Sequence, residues 1–174
     1  MLWFYSSSYK RIFLLGNIVI SLCSFLSVFS MGYLAAISLE KSFGILIYKT
    51  NILSEIYGWF AAFGLFAFLF TFIREVVKDV EDIEGDREIE CHSLPIVLGI
   101  NTTKIVLTVI TLVSTLIVGY FCFYLNPFST DNITTKYYIF GVLVPCIILI
   151  FWIGKAAKRR DWRQISTFVK FIML

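Results

Sequence analysis

Three aspartates, Asp79, Asp82 and Asp86, follow one another at spacings of three and four residues. On a helix these spacings place the three carboxylates along one face, with Glu75 one turn before them. Such a row repels itself, because carboxylates four residues apart destabilise a helix unless something cationic lies against them. Carboxylate oxygens suit Mg²⁺, which proteins typically hold with one or two carboxylates together with the phosphates of a substrate. The spacing therefore favours a magnesium site.

Two cations precede these aspartates on the same predicted helix. Arg74 and Lys78 are one turn apart, and both are suitable partners for phosphate oxygens beside a bound metal. The segment therefore predicts a site for a magnesium-diphosphate complex. The alternative is a solvated helix whose glutamates, Glu81, Glu84 and Glu88, only keep the segment in water. The residue types favour the metal site, since the short aspartates occupy one face and the longer glutamates mostly lie off it.

The elements that must position this segment are membrane helices. The chain has 174 residues, of which 59% are hydrophobic and 16% charged, whereas a soluble domain is about 45–50% apolar and about 25% charged. Four stretches carry no charged side chain over the roughly 18 residues that a helix needs to cross the bilayer. They predict membrane helices at about 12–37, 56–73, 105–125 and 137–154. The predicted fold class is all-α, a polytopic transmembrane helical bundle.

The positive charges are distributed unevenly between the two sides of these helices. Twelve of the fifteen Lys and Arg residues precede the first helix, lie between the second and third, or follow the fourth, and the other three lie in the remaining loops. The positive-inside rule then places the acidic loop 74–104 in the cytoplasm. The sequence predicts a multi-pass integral protein of the cytoplasmic (inner) membrane, in contact with membrane lipid. A net charge of +3 gives no support for nucleic-acid binding.

Several polar and small residues fall inside the predicted spans. Asn17 lies near the cytoplasmic end of the first span, where its amide either bonds to a neighbouring helix or reaches the diphosphate; packing is the favoured interpretation. Other residues recur at spacings typical of close helix packing, and they predict surfaces where two helices meet. They are Ser21, Ser24, Ser27 and Ser30 in the first span, and Gly58 and Ala62 in the second.

The segment from Arg74 to Gly99 also carries a resemblance to a known family. Its KDVEDIEGD core and SLPIVLG ending resemble the second aspartate-rich motif of the UbiA-type intramembrane prenyltransferases. The branch that includes digeranylgeranylglyceryl phosphate synthase is the most similar. The stretch from Tyr5 to Asn17 resembles the lead into that family's fifth helix, and the stretch from Asp161 to Leu174 resembles the start of its last. The resemblance spans nearly the whole chain.

The resemblance implies a fold, a reaction and a set of site residues. The fold is a nine-helix bundle, of which this chain has four membrane helices and the start of a fifth. The reaction is Mg²⁺-dependent transfer of an isoprenyl group from a prenyl diphosphate to an aromatic or glycerophosphate acceptor in the lipid phase, as in lipid or quinone biosynthesis. Asp79, Asp82 and Asp86 match the metal ligands, and Lys78 and Arg74 match the diphosphate-binding cations. Asp82, Asp86 and Lys78 are the expected catalytic residues.

One part of the family pattern is missing from this chain. The family's first motif, of the form NDxxDxxxD, belongs upstream of the second, and the acids outside the acidic loop are isolated: Glu40, Glu55, Asp131 and Asp161. We therefore expect a carboxyl-terminal fragment that is inactive alone and has the missing amino-terminal half as its partner. A catalytically inactive membrane remnant is the alternative. A small transporter component is less favoured, because transporters need ionisable residues at membrane depth and the four predicted spans contain none.

Overall fold

The computed structural model describes residues 14–44, 48, 50–88, 91–125 and 132–173, and every regular element among them is helical. The α-helices are α1 Leu15–Phe43, α2 Ile52–Glu81, α3 Ile83–Glu88, α4 Leu94–Leu98, α5 Ile100–Tyr120, α6 Asn132–Tyr137, α7 Val144–Lys155 and α8 Arg159–Met173. Two π-helical segments, Phe121–Leu125 and Tyr138–Leu143, follow α5 and precede α7. The predicted all-α fold class is confirmed.

Four helical stretches are long and apolar enough to cross a membrane, as predicted: Leu15–Phe43, Ile52–Glu81, Ile100–Phe123 and Thr135–Lys155. The helices extend beyond the predicted spans, because the predictions followed the uncharged runs. Lys and Glu are good helix formers, so a helix continues through them into the interfacial region. The start of the first predicted span, residues 12 and 13, and most of the stretch from Tyr5 to Asn17 lie outside the described residues.

Helices α1 and α2 form an antiparallel hairpin and approach each other closely at two glycines. A Cβ atom on Gly32 would lie 2.6 Å from the Phe60 side chain, and one on Gly64 would lie 2.9 Å from the Phe25 ring. The absence of a side chain at these positions lets the two backbones approach closely. The prediction that Gly58 is a packing residue is wrong, because Gly58 is exposed and a Cβ there would meet nothing within 4 Å.

The serines predicted to line a packing surface differ in their surroundings. Ser21 is fully buried, whereas Ser27 and Ser30 are exposed. The hydroxyls of these three serines donate to backbone carbonyls of α1 itself, at 2.6 to 2.8 Å. Their period of three residues drifts around a helix of 3.6 residues per turn, so the four serines cannot all face one neighbour. Only the amino-terminal part of the predicted serine surface is therefore a packing surface.

The hydrophobic core surrounds the second half of α2. Phe70, Ile73, Val76 and Val77 are fully buried there. They cluster with buried side chains of the later helices, including Leu94, Leu107, Val142, Leu149, Ile153, Trp162, Ile165 and Val169. Inside a bilayer such packing acts through close contact and dispersion, since lipid tails are as apolar as leucine. The packing fixes the direction of the last turns of α2, which carry the acidic segment.

Candidate active site

Asp79 lies in the last turns of α2 and is held by a residue of α1. The Asn17 Nδ2 atom donates a hydrogen bond to Asp79 Oδ2 at 2.7 Å. Asn17 is 7% exposed, so this bond also satisfies part of a buried amide. The interpretation that Asn17 bonds to a neighbouring helix is confirmed, and its partner is one of the predicted metal ligands.

Arg74 lies one turn further into the membrane-spanning part of α2. Its Nη1 atom donates to Glu75 Oε1 at 2.9 Å, and the Glu75 side chain is 10% exposed. Its Nε atom is buried without a hydrogen-bond partner among the described residues, and the same holds for Thr71 Oγ1. A buried guanidinium N–H is a charged donor that is costly to leave unpaired. The site therefore contains a buried donor that suits an anionic ligand.

The row of four carboxylates predicted on one continuous helix does not form in that way. Helix α2 ends at Glu81 and α3 begins at Ile83, so Asp82 lies at the junction, with φ −100° and ψ 12°. The Asp82 N–H still donates to the Lys78 carbonyl at 2.9 Å, and the Asp82 carbonyl accepts from the Asp86 N–H at 3.0 Å. These two hydrogen bonds continue the helical pattern through the junction, so the interruption is confined to the backbone angles of Asp82. Gly85 lies within α3.

The acidic segment is thus not simply a loop. Its first part, from Arg74 to Glu81, continues the second membrane helix, and residues 100–104 already belong to α5. Pro95 lies in the first turn of the short helix α4, which separates the acidic segment from α5. Proline is tolerated at that position because the first turn of a helix has no use for its missing N–H.

The remaining predicted site residues differ strongly in exposure. Asp86 is 3% exposed, while Lys78 is exposed on the last turn of α2. A carboxylate buried to this degree requires compensating interactions. The Asp86 carbonyl accepts from the Cys91 N–H at 2.9 Å, which ties the end of the segment back to α3. Lys78 is free to move towards an anion, whereas Asp86 is held in place.

Two arginines of α8 that are not among the predicted site residues contact the acidic segment. Arg159 Nη2 lies 3.4 Å from Asp82 Oδ1, and Arg163 Nε lies 3.5 Å from Glu81 Oε1. Both arginines belong to a positive stretch that the positive-inside rule already explained. The sequence feature that could have indicated them is the arginine cluster at the start of α8. Its guanidinium groups meet the acidic end of α2.

Asp161 fixes the beginning of α8. Its Oδ2 atom accepts from the backbone N–H groups of Lys158, at 2.9 Å, and Ala157, at 3.1 Å. These two hydrogen bonds, chiefly the one from Lys158, favour the ionised carboxylate and hold the pKa of Asp161 below its ordinary value of 3.8. A carboxylate near a helix N-terminus is also stabilised by the helix dipole. The cap thereby sets the position of the arginines that follow it.

The donor set is compatible with Mg²⁺. Among the described residues, no group of three or more His, Cys, Asp or Glu side chains is arranged to hold a metal ion. Mg²⁺ keeps several waters and needs only one or two carboxylates where a substrate supplies phosphate oxygens. Asp79 and Asp82 each engage one carboxylate oxygen in the contacts above. Carboxylates on the same helical segment as Arg74, whose Nε has no partner among the described residues, are the residue types that a magnesium-diphosphate complex requires.

The sequence profile of the UbiA prenyltransferase family matches residues 1–174. The chain belongs to this family. The resemblance inferred from the motif is thus confirmed, and with four helices able to span a bilayer the protein is an integral membrane protein. No solved structure matches the chain.

Curated relatives of this UbiA-family chain carry one name. The chain is 34% identical over 114 residues to the digeranylgeranylglyceryl phosphate synthase of Methanosphaera stadtmanae. The aligned region covers 64% of this chain and 39% of the relative. It is 28% identical over 164 residues to the enzyme of that name from Sulfurisphaera tokodaii. This alignment covers 94% of this chain and 52% of the relative. The chain therefore spans about two-fifths to half the length of these relatives.

Proposed function

We propose that this chain forms one part of a membrane prenyltransferase that transfers an isoprenyl group from a prenyl diphosphate to a hydroxyl of a glycerophosphate lipid. The family match supports prenyl transfer. The name shared by the curated relatives favours a glyceryl phosphate acceptor over an aromatic one. The product is then an ether lipid, and the second product is diphosphate.

The observation that carries this proposal is the buried Nε atom of Arg74, which has no partner among the described residues. It lies on the same helix as Asp79, and Asp82 follows directly at the helix end. A cationic donor on the same helical segment as several carboxylates is expected where a ligand brings both negative oxygens and a divalent cation. A diphosphate with Mg²⁺ has both, which supports Asp79, Asp82 and Asp86 as metal ligands.

Each residue then has a defined task. Arg74 and Lys78 donate to diphosphate oxygens, and Asp82 and Asp86 hold Mg²⁺. Mg²⁺ bound there would withdraw charge from the diphosphate as its bond to the allylic carbon breaks. The electron pair of that bond leaves with the diphosphate, and the acceptor oxygen bonds to the carbon and gives its proton to the released diphosphate. The apolar helices around α2 exclude water from the allylic cation.

The proposal includes an orientation and a partner. Twelve of the fifteen Lys and Arg residues lie on the side that carries the acidic segment, which favours a cytoplasmic position for the site in the cytoplasmic membrane. The first aspartate-rich motif has no counterpart within residues 1–174. We infer that an amino-terminal half bearing that motif completes the site. The chain alone is expected to be inactive.

The test is prenyl transfer in membranes that contain this chain together with a segment bearing the first motif. Labelled prenyl diphosphate and a glycerophosphate lipid are supplied with Mg²⁺, and the ether lipid is measured. Asp82→Asn and Asp86→Asn should each abolish transfer. Glu84→Gln is the matched control, because Glu84 is an exposed acid of the same segment; it should leave the rate unchanged.

Two results would contradict the proposal. Unchanged transfer by Asp82→Asn would remove the acidic segment from the reaction. A completed assembly that is correctly inserted but transfers no isoprenyl group to any acceptor would mean that the chain is an inactive remnant. Removal of Mg²⁺ with a chelator should stop the reaction, and its return should restore it.

A further inference from the structure

An open pocket with a positive lining lies beside the acidic segment. It has a volume of about 420 Å³ between the first turns of α8 and the end of α2. Three guanidinium groups face one carboxylate in its lining: Arg159, Arg160 and Arg163 with Glu81. Guanidinium groups bind phosphate oxygens through pairs of N–H donors. The pocket therefore suits a phosphate group.

The carboxylates that contact these arginines hold them loosely. The two ion pairs, to Asp82 and Glu81, are 3.4 Å and 3.5 Å long, and the arginine side chains are 67% and 80% exposed. Ion pairs this long and this exposed contribute little, because water and salt screen them. A phosphate can therefore displace the carboxylates from the guanidinium groups.

An apolar trough of about 590 Å³ shares one lining residue, Arg163, with this pocket. Its lining consists of Trp152, Thr167, Phe168 and Phe171, with Arg163 and Gln164 at its polar end. The Trp152 and Phe168 rings meet edge to face with centroids 5.2 Å apart, and Phe171 is 76% exposed. Arg163 lines both cavities, so the apolar trough and the positive pocket lie side by side along α8.

We propose that the start of α8 binds a lipid phosphate monoester. The phosphate lies among Arg159, Arg160 and Arg163, and the hydrocarbon chain lies along Trp152, Phe168 and Phe171. The juxtaposition of an apolar trough and three guanidinium groups fits a molecule with an apolar chain and an anionic end. The prenyl diphosphate, which is assigned to Arg74 and Lys78, leaves these three arginines available for a second anionic ligand.

The charge of the pocket selects the monoester over the ordinary phosphodiester lipids. A phosphate monoester carries about −1.5 to −2 at neutral pH, whereas a phosphodiester carries a single charge. Three guanidinium groups, set against Glu81 in the lining and against Asp82 beside Arg159, leave a net charge of +1. In this positive field the more highly charged monoester is attracted more strongly than the singly charged diester. The backbone N–H groups before α8 are already bonded to Asp161, so the arginine side chains provide the binding.

The position of the pocket links it to the reaction, and this link rests on the proposed function. Arg159 contacts Asp82, which is one of the proposed metal ligands. A glycerophosphate acceptor held by its phosphate at this pocket would have its hydroxyl near the acidic segment. Arg160 and Arg163 are then residues that determine acceptor specificity.

The test measures lipid binding without metal, prenyl diphosphate or transfer. The chain is placed in phosphatidylcholine nanodiscs, and binding of phosphatidic acid, a phosphate monoester, is compared with binding of phosphatidylglycerol, a phosphodiester. The variant Arg160→Gln with Arg163→Gln should weaken phosphatidic acid binding at least tenfold. Lys170→Gln is the matched control, since Lys170 is an exposed cation of α8 outside the pocket; it should have no effect.

A second variant tests the trough. Phe171→Ser changes an exposed side chain and should weaken phosphatidic acid binding several-fold while leaving binding of glycerol phosphate, which has no chain, unchanged. Equal affinity for phosphatidic acid and phosphatidylglycerol would overturn the inference, because general attraction to anionic lipid would explain it. Equal losses in Lys170→Gln and in the double variant would overturn it as well.

The outcomes separate this site from the proposed function. Selective binding of phosphatidic acid in a protein that transfers nothing would retain the α8 site and reject the enzyme. Transfer with an acceptor KM that the double variant leaves unchanged would retain the enzyme and reject the α8 site.

Discussion

Asn17 and Asp79 are 62 positions apart in sequence, and a hydrogen bond of 2.7 Å joins them. The amide of the first membrane helix holds one oxygen of a carboxylate on the second. This bond orients the carboxylate before any ligand arrives, which reduces the ordering that binding has to impose. Asn17 is therefore a positioning residue for the acidic segment.

Asn17→Leu keeps the approximate volume of the side chain and removes the bond to Asp79. We expect the hairpin of α1 and α2 to lose about 1–3 kcal/mol, the usual cost when one partner of a buried hydrogen bond to a charged group is removed. Unfolding in mixed detergent micelles measures the loss. The control is Ser27→Ala, because the exposed Ser27 hydroxyl bonds only to a carbonyl of its own helix. Equal stabilities of the two variants would show that the bond has no structural role.

The two glycines of α2 should respond in opposite ways to alanine. A Cβ on Gly64 would lie 2.9 Å from the Phe25 ring and 3.3 Å from the Phe25 carbonyl oxygen, which cannot move aside. We expect Gly64→Ala to destabilise the hairpin by about 1–3 kcal/mol through overpacking. Gly58→Ala meets nothing within 4 Å and should leave stability unchanged or raise it. Midpoints of thermal unfolding in detergent compare the two. A stable Gly64→Ala variant would contradict the close approach.

Asp82→Asn should abolish prenyl transfer and leave the stability of the fold nearly unchanged. The ion pair from Asp82 to Arg159 is exposed and 3.4 Å long, and such pairs contribute about 0–1 kcal/mol. We therefore expect the unfolding midpoint to stay nearly unchanged while Mg²⁺-dependent transfer is lost. Circular dichroism against temperature, with the transfer assay, measures both. A large loss of stability would mean that Asp82 is mainly a structural residue.

Gly99, at the end of the SLPIVLG sequence, has φ 82° and ψ 159°, a conformation that only glycine adopts readily. A Cβ there would meet nothing within 4 Å, so the cost of Gly99→Ala comes from the backbone alone. We expect a loss of about 1–3 kcal/mol. Gly154→Ala is the matched control, because Gly154 lies within α7 and also has open space around it. Similar unfolding midpoints for the two variants would contradict this explanation.

Asp161 should make the start of α8 sensitive to acid. Its hydrogen bonds from Lys158 and Ala157 hold its pKa below 3.8 in the folded protein. A lowered pKa means that the cap stabilises the fold above pH 3.8 and that this contribution is lost as the pH falls through the folded pKa. Asp161→Asn should remove this acid dependence. Amide NMR shifts of Ala157 and Lys158 between pH 6 and pH 2 follow the transition. Identical profiles for the variant and the natural chain would exclude Asp161 as its source.

The contact that Asn17→Leu removes and the contact that Asp161→Asn changes differ in whether the sequence alone could predict them. The carboxylate of Asp161 four residues after Ala157 is a local pattern, which sequence spacing contains. The bond between Asn17 and Asp79 depends on two helices meeting in one register. Sequence patterns could indicate that Asn17 packs against a helix, but they could not select its partner.

The sequence by itself determined the four membrane helices, the acidic segment and the family, because hydrophobic length, charge spacing and motif wording are local properties of the chain. The tertiary structure decided which residues meet: Asn17 with Asp79, Gly64 with Phe25, and the α8 arginines with Asp82 and Glu81. It also placed the bend at Asp82 and left Gly58 exposed. These pairings join residues as many as 82 positions apart, and helix packing, which depends on all side chains of both surfaces, sets them.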